Sequence, residues 1–181
     1  MIKNKITPEI LKRAKKIRLL AMDIDGVLTA GEVIVLRSGE EIKIWSVKDR
    51  MGFYMLRRST LPIKLAWITA RKSTQVKARG EELKVDFLVQ KCPDKWAALL
   101  GCAKAMKITP DQIAYIGDDL VDLRCLRNVG FAVCPPESPG ELKSACHYQT
   151  RASAGKGVVR EAIEILIKAQ GAWKKVLSFY E

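Results

Sequence analysis

The segment Ile17-Arg18-Leu19-Leu20-Ala21-Met22-Asp23-Ile24-Asp25-Gly26-Val27-Leu28-Thr29 joins an apolar run to two carboxylates that are separated by one residue. In a strand, residues i and i+2 share a face, so Asp23 and Asp25 can both point just beyond the sheet edge. Two acids at the end of a buried strand are costly unless a cation compensates them. Gly26 then allows a sharp turn. The segment predicts a nucleophile and a proton donor beside a hard cation.

Apolar, strand-like runs alternate with helical patterns along the chain. This alternation indicates right-handed βαβ units, and therefore an α/β fold with a three-layer, Rossmann-like parallel sheet. The predicted strands are Arg18–Asp23, Ile63–Ile68, Phe87–Val89, Ile113–Ile116 and Phe131–Val133. The predicted helices run from the Thr7 N-cap to Lys15, and over Gly52–Arg58, Ser73–Leu83, Asp94–Met106 and Leu120–Arg127.

The segment Glu32–Trp45 breaks this alternation. It predicts two short strands around Arg37-Ser38-Gly39-Glu40, which form a β-hairpin inserted after the first strand. Neither a repeat nor an interdomain linker is evident, and 181 residues fit one domain spanning 1–181. The tail from about residue 171 to 181 carries Trp173, Phe179 and Tyr180, which we expect either on the domain's own surface or against a neighbouring subunit.

Composition limits the function classes. No apolar run approaches the ~20 residues that span a bilayer, and the chain starts without an apolar signal region, so we expect a cytoplasmic protein without a membrane partner. The five cysteines form no CxxC pair and indicate reduced, structural thiols. The net charge of +12 is compatible with nucleic-acid binding. Because the basic residues are spread along the chain without a nucleic-acid motif, we expect a small anionic substrate and no nucleic acid.

Polar residues follow several predicted strands at the point where each strand ends. Thr69-Ala70-Arg71 follows the second strand, Lys95 begins the helix after the third, and Gly117-Asp118-Asp119-Leu120-Val121-Asp122 follows the fourth. In an open parallel sheet, ligands bind at the carboxyl ends of the strands. The sequence therefore predicts one pocket that holds carboxylates, a hydroxyl, a lysine and an arginine.

The order DxDGVxT, Thr, Lys and GDDxxD resembles the haloacid dehalogenase superfamily of phosphohydrolases. Most of the chain resembles its small, capless branch, the 3-deoxy-D-manno-octulosonate 8-phosphate phosphatase family; matching segments include Gly39–Lys43, Ile68–Ser73 and Gly157–Glu161. The resemblance implies an Mg²⁺-dependent phosphomonoester hydrolase of lipopolysaccharide sugar biosynthesis. It also implies a homotetramer that the hairpin helps to assemble.

The same resemblance assigns the catalytic roles. Asp23 would attack phosphorus to form an aspartyl-phosphate, while Asp25 would protonate the departing sugar oxygen and then activate water. Mg²⁺ would be bound by Asp23, by Asp118 and by the backbone carbonyl of Asp25, an oxygen set that this ion prefers.

Supporting residues are also implied. Thr69 and Lys95 would hold the phosphoryl oxygens, and Asp119 and Asp122 would support the site from outside the ligand shell. An acid in the first turn of a helix is also favoured by the helix dipole, so a capping role for Asp122 is an alternative. His147, the only histidine, is expected to be a packed or surface residue.

Substrate recognition depends on the segment Ser46-Val47-Lys48-Asp49-Arg50, where the family commonly has Asn-Val-Arg-Asp-Gly. The predicted substrate-binding residues are Ser46, Lys48, Asp49, Arg50, Arg71 and Arg79. Arg79 lies in a helical stretch, so a position on a solvated helix face is the alternative to substrate binding. The leading hypothesis is an eight-carbon ulosonate 8-phosphate; the altered segment also admits an acylneuraminate-type 9-phosphate. A non-catalytic nucleic-acid-binding protein on the same scaffold is the third hypothesis.

Overall fold

A computed structural model of the protein describes residues 3–181. Its strands are β1 (Leu19–Met22), β2 (Ile34–Val35), β3 (Glu41–Ile42), β4 (Lys64–Ile68), β5 (Phe87–Val89), β6 (Ile113–Ile116), β7 (Phe131–Cys134) and β8 (Tyr148–Gln149). Its helices are α1 (Pro8–Lys15), α2 (Val47–Ser59), α3 (Thr74–Glu82), α4 (Lys95–Met106), α5 (Leu123–Asn128), α6 (Gly140–Ala145), α7 (Val158–Ala169) and α8 (Trp173–Leu177). Short 3₁₀ turns cover Pro110–Gln112 and Leu120–Asp122.

Six strands form one parallel sheet in the order β5-β4-β1-β6-β7-β8, and β2 and β3 form a separate antiparallel hairpin. The strand β1 lies between β4 and β6, with Met22 opposite both Trp67 and Ile116. All four of its residues are buried, as expected for a strand with helices on both faces. The predicted α/β class with a parallel sheet is confirmed.

Two apolar layers cover the faces of the sheet. One contains Phe53 of α2, Trp67 of β4 and Ile163 of α7. The other contains Leu99 of α4 and Leu126 of α5. The sheet is therefore the middle layer, and its carboxyl edge is the place where the βα loops meet.

The helix predicted over Gly52–Arg58 begins earlier, at Val47, because Ser46 caps it by accepting a hydrogen bond from the Lys48 N–H at 3.1 Å. The helix predicted over Leu120–Arg127 is also different, since a 3₁₀ turn precedes α5. The elements that the sequence analysis did not predict are β8, α6, α7 and α8. None of the helices between residues 3 and 181 is long and apolar enough to cross a membrane.

The hairpin exposes a row of apolar side chains. Val33, Ile34, Val35, Leu36, Ile42 and Ile44 are each exposed by 42% or more. The tail is only partly packed: Val176 of α8 is buried, whereas Phe179 and Tyr180 remain half exposed beside the guanidinium of Arg58. His147 is a packed residue whose Nδ1 accepts a hydrogen bond from the Ala132 N–H at 2.9 Å.

Candidate active site

The loop after β1 holds two carboxylates at the carboxyl edge of the sheet. The Asp23 N–H continues the ladder to the Ile116 carbonyl at 3.0 Å, and its Oδ1 accepts from the Ile24 N–H at 2.6 Å. Gly26 has a φ of +81°, and a Cβ there would lie 1.9 Å from Asp118 Oδ2. Glycine is therefore required both by the backbone and by the close approach of Asp118.

Asp122 is fully buried behind these acids. Its Oδ1 accepts from Lys95 Nζ and from the Tyr115 hydroxyl, each at 2.7 Å, and its Oδ2 accepts from the Asp118 N–H at 3.1 Å. A Cβ on Gly117 would lie 2.4 Å from the Asp122 Cβ, so this turn also needs glycine. The side chain of Asp122 caps neither end of α5. It holds Lys95 and the Asp118 loop in place.

Lys95 is the first residue of α4, and Asp94 caps that helix by accepting from the Ala97 N–H at 3.0 Å. Its ammonium group forms buried ion pairs with Asp23 and Asp122. Burial alone would lower the pKa of Lys95, but the carboxylates of Asp122 and Asp23 outweigh it and raise that pKa. Lys95 therefore stays charged inside the site.

Asp23, Asp118 and Asp122 each offer an oxygen within 4.8 Å of the others, an arrangement that suits a metal ion. Desolvation and then the Asp122 charge raise the pKa of Asp23 to about 6. Desolvation, Asp122 and Asp23 raise the pKa of Asp118 to about 7. Three carboxylates against one ammonium leave excess negative charge, which a divalent, oxygen-preferring cation would neutralise. Because Asp122 is fully buried, whereas Asp23 is 8% exposed and Asp118 is half-buried, Asp23 and Asp118 are the carboxylates that a metal can reach.

Asp25 faces the hairpin. Lys43 of the hairpin forms an ion pair with its Oδ1, and Arg71 Nε lies 3.8 Å from its Oδ2. Arg71 also pairs with Glu41 of β3, so the hairpin is tied to the βα loop after β4. Lys43 was missed as a site residue by the sequence analysis, although it belongs to the Gly39–Lys43 segment that carried the resemblance.

Thr69 follows β4 directly at the same edge, two positions beyond Trp67, which pairs with Met22 of β1. Its N–H donates to the Val89 carbonyl at 2.9 Å, and its Oγ1 accepts from the Arg71 N–H at 3.2 Å. The structure thus brings together Asp23, Asp25, Thr69, Lys95, Asp118 and Asp122 at the carboxyl edge of neighbouring strands, as the strand-end argument predicted.

The structure does not bring Asp49, one of the predicted substrate ligands, into this group. Asp49 is 2% exposed, and its two oxygens accept from the Gly157 N–H at 3.1 Å and the Arg160 N–H at 3.0 Å. It therefore caps the start of α7 from a neighbouring helix. Burial raises the pKa of Asp49, and these backbone hydrogen bonds oppose that rise.

Arg50 and Arg79 share one carboxylate away from the aspartates. Arg50 Nε lies 3.1 Å from Glu82 Oε1, and Arg79 pairs with the other oxygen of Glu82. Arg79 also lies over the ring of Trp45 at 5.9 Å. Lys48 lines a shallow groove of about 340 Å³ together with Lys156 and Arg160.

A cavity of about 560 Å³ opens beside Asp118. Its walls include Gly26, Asp118, Asp119, Glu137, Ser138, Ser153 and Lys156. Ser138 is 3% exposed, and its hydroxyl has no hydrogen-bond partner among residues 3–181. The last four of these residues were not predicted; they come from loops after β7 and β8, and β8 itself was missed.

Residues 66–162 match the model of the haloacid dehalogenase-like hydrolase family. The chain is 34% identical over 166 residues to 3-deoxy-D-manno-octulosonate 8-phosphate phosphatase of Escherichia coli K12. The aligned region covers 92% of this chain and 87% of that protein.

Two solved structures have the same fold. The 3-deoxy-D-manno-octulosonate 8-phosphate phosphatase of Moraxella catarrhalis, in complex with a magnesium ion, a phosphate ion and KDO, matches with a TM-score of 0.93 and 37% identity over 97% of this chain and 100% of that one. The cobalt-bound deoxy-D-mannose-octulosonate 8-phosphate phosphatase of Haemophilus influenzae matches with a TM-score of 0.86 and 29% identity over 93% and 99%.

Proposed function

This chain belongs to the haloacid dehalogenase-like hydrolases, in the branch of the 3-deoxy-D-manno-octulosonate 8-phosphate phosphatases, and we propose that it hydrolyses that sugar-acid phosphate. The observation that carries the proposal is the buried group of Asp23, Lys95 and Asp122 beside Asp118, in a chain whose relative binds magnesium, phosphate and KDO. The products are the free sugar acid, which enters lipopolysaccharide sugar biosynthesis, and inorganic phosphate. The cytoplasmic location expected from the sequence is part of the same proposal.

In the first step, a carboxylate oxygen of Asp23 attacks phosphorus and the bond to the sugar oxygen breaks. Asp25 donates its proton to that leaving oxygen, and an aspartyl-phosphate remains on Asp23. In the second step, Asp25 takes a proton from a water molecule that attacks phosphorus, which releases phosphate and regenerates both acids. The partial exposure of the Asp25 carboxylate to solvent supports this role.

Mg²⁺, when bound, offsets the repulsion between the Asp23 carboxylate and the phosphate and stabilises the charge of the transition state. Asp23, Asp118 and the backbone carbonyl of Asp25 would hold it. Lys95 and Thr69 would bind the phosphoryl oxygens, because the ammonium group of Lys95 pairs with Asp23 and Thr69 follows β4, the neighbour of β1. Asp122 orients Lys95 and the Asp118 backbone, and Asp119 lines the adjoining cavity.

For the sugar end of the substrate, Arg71 is the best-placed of the predicted residues, since it already reaches Asp25. Lys48, Arg50 and Arg79 would contribute positive charge farther along the same surface, whereas Ser46 is used as a helix cap. We also propose a homotetramer in which the exposed apolar face of the hairpin packs against other copies of the chain.

A phosphate-release assay tests the proposal with a panel of 3-deoxy-D-manno-octulosonate 8-phosphate, an acylneuraminate 9-phosphate and simple hexose phosphates, each with and without Mg²⁺. We expect the eight-carbon substrate to have the highest kcat/KM and turnover to stop with EDTA. A higher kcat/KM for the nine-carbon substrate would replace this proposal by the acylneuraminate alternative. Salt-sensitive binding of DNA or RNA without turnover of any ester would support the non-catalytic hypothesis instead.

A further inference from the structure

Two thiols lie in contact below the surface, at the base of the loop that follows β7. Cys134 is the last residue of β7, and Cys146 follows α6 directly. Their sulfur atoms are 3.3 Å apart, with the Cys134 Sγ–H donating to Cys146 Sγ. Both are free thiols, and both are almost fully buried. Because buried cysteines without a reactive neighbour are inert, this contact is what distinguishes the pair chemically.

Cys146 also forms part of the wall of a second cavity, of about 950 Å³. The other residues that matter here are Lys3, Lys5, Arg13 and Lys143, which give this cavity a positive lining. The hydrogen bond from Cys134 and then the charge of Lys3 outweigh burial and lower the pKa of Cys146. Of the two cysteines, Cys146 lines the cavity and Cys134 does not, so a small polar oxidant that enters the cavity is nearer to Cys146.

We propose that Cys134 and Cys146 form an oxidisable dithiol site that a hydroperoxide converts reversibly into a disulfide. In the first step the Cys146 thiolate attacks the terminal peroxide oxygen; the O–O bond breaks, a sulfenic acid forms, and the hydroperoxide is reduced to an alcohol or to water. In the second step the Cys134 sulfur attacks the sulfenic sulfur, which forms the S–S bond and releases water. The two thiols lose two electrons and two protons in total.

The disulfide would act on the active-site cavity. The segment between the two cysteines contributes Pro135, Glu137 and Ser138 to the wall beside Asp118. A covalent bond from the end of β7 to the end of α6 would restrict the movement of this segment. The effect on turnover rests on the proposed phosphatase activity, whereas the disulfide itself does not.

Trypsin separates the two cysteines, so mass spectrometry can detect the bond directly. Cleavage after Arg127, Lys143 and Arg151 yields peptides 128–143 and 144–151, each with one of these two cysteines and no other. The full-length protein, loaded with Mg²⁺, is treated with hydrogen peroxide, alkylated and digested. We expect a linked pair of these peptides that dithiothreitol separates. The link should be absent in Cys146→Ser and present in Cys102→Ser, a control at another buried cysteine.

If both thiols are still alkylated after the protein is unfolded, or if Cys146 ends as a sulfinic acid without a link, the dithiol site is wrong. Turnover of 4-nitrophenyl phosphate tests the coupling separately. We expect kcat/KM of the linked protein to fall by about twofold or more and to recover with dithiothreitol. An unchanged kcat/KM in a fully linked sample overturns the coupling. A protein without any phosphatase activity refutes the proposed function and leaves the peptide result interpretable.

Discussion

The ammonium of Lys95 lies 2.7 Å from the carboxylate of Asp122, and these side chains are 4% and 0% exposed. A buried lysine keeps its charge only when carboxylates compensate its desolvation, and here Asp122 is the larger of the two compensating charges. Asp122 touches no part of the cavity wall, yet it fixes both Lys95 and the backbone of Asp118. The site therefore depends on a residue that a ligand would not contact.

Asp122→Asn keeps the shape of this side chain and removes its charge. We expect kcat to fall by about 10–100-fold with a smaller change in KM, because the phosphate-holding lysine and the metal-holding loop lose their common partner. Steady-state kinetics at saturating Mg²⁺ measures the change. Asp119→Asn is the matched control, since Asp119 is in the same motif and lines the cavity, but its carboxylate accepts from the Leu120 N–H and not from Lys95. Equal losses in both variants would contradict the distinction.

The roles of Asp23 and Asp25 can be distinguished by the burst phase and the steady-state phase of the reaction. With 4-nitrophenyl phosphate, whose leaving group needs little protonation, Asp25→Asn should release a burst of about one nitrophenolate per active site and then turn over slowly, by about 100-fold or more below the wild type. Asp23→Asn should give no burst, because the nucleophile is missing. Stopped-flow absorbance measures both. A burst in Asp23→Asn as large as that of Asp25→Asn would exclude Asp23 as the nucleophile.

Removal of the metal should make stability depend on pH. Without metal, the pKa values of Asp23 and Asp118 are about 6 and about 7, above the value of 3.8 for an unperturbed aspartate. Groups with a raised pKa stabilise the folded state at low pH, and this contribution is lost as the pH rises through 6 and 7. In EDTA, their contribution to Tm should therefore decline from about pH 5 to about pH 8.

Added Mg²⁺ should reverse this loss, so the rise in Tm on adding Mg²⁺ should be larger at about pH 8 than at about pH 5. Asp118→Asn removes one of the two carboxylates. Its Tm in EDTA at high pH should exceed that of the wild type, and its response to Mg²⁺ should be much smaller. Differential scanning fluorimetry checks both; a pH-independent effect of Mg²⁺ would argue against a metal bound by these acids.

Gly26 and Gly39 form a natural comparison, since both have a φ of +81°. An added Cβ would lie 1.9 Å from Asp118 Oδ2 at Gly26 and would meet nothing within 4 Å at Gly39. Gly39→Ala should cost only the backbone strain, about 1 kcal/mol. Gly26→Ala should cost more and should weaken Mg²⁺ binding, because the carboxylate of Asp118 has to move. Urea unfolding and calorimetric titration with Mg²⁺ measure the two effects.

The parallel sheet and the strand-end residues were predictable because each depends on local signals. Apolar runs predict the strands. Thr69, Lys95 and Asp118 are then predicted as site residues because each comes soon after a predicted strand. The cap at Ser46 was not predicted, although an acid three residues later, here Asp49, is typical of a helix start. The capping of α7 by Asp49 could not be predicted, because it joins residues 108 and 111 positions apart that no local pattern connects.

The hairpin was predicted as an insertion, but its contact with the site was not. Lys43 reaches Asp25 only because the hairpin folds back over the loop after β1. Lys156 enters the cavity through the loop after β8, a strand of two residues that is too short to give an alternating pattern. Glu137 and Ser138 enter it through the loop after β7, a strand that was predicted.

The pairing of Lys43 with Asp25 joins the hairpin to the chemistry, because the same short element carries the exposed apolar side chains of Ile34 and Ile42. A hairpin that changes position to pack against another copy carries its lysine with it. Specific activity should then vary with protein concentration across the range in which the copies associate. Dilution should therefore impair proton transfer by Asp25 first. Asp23 and Lys95 are held by the sheet and α4 and should keep their positions.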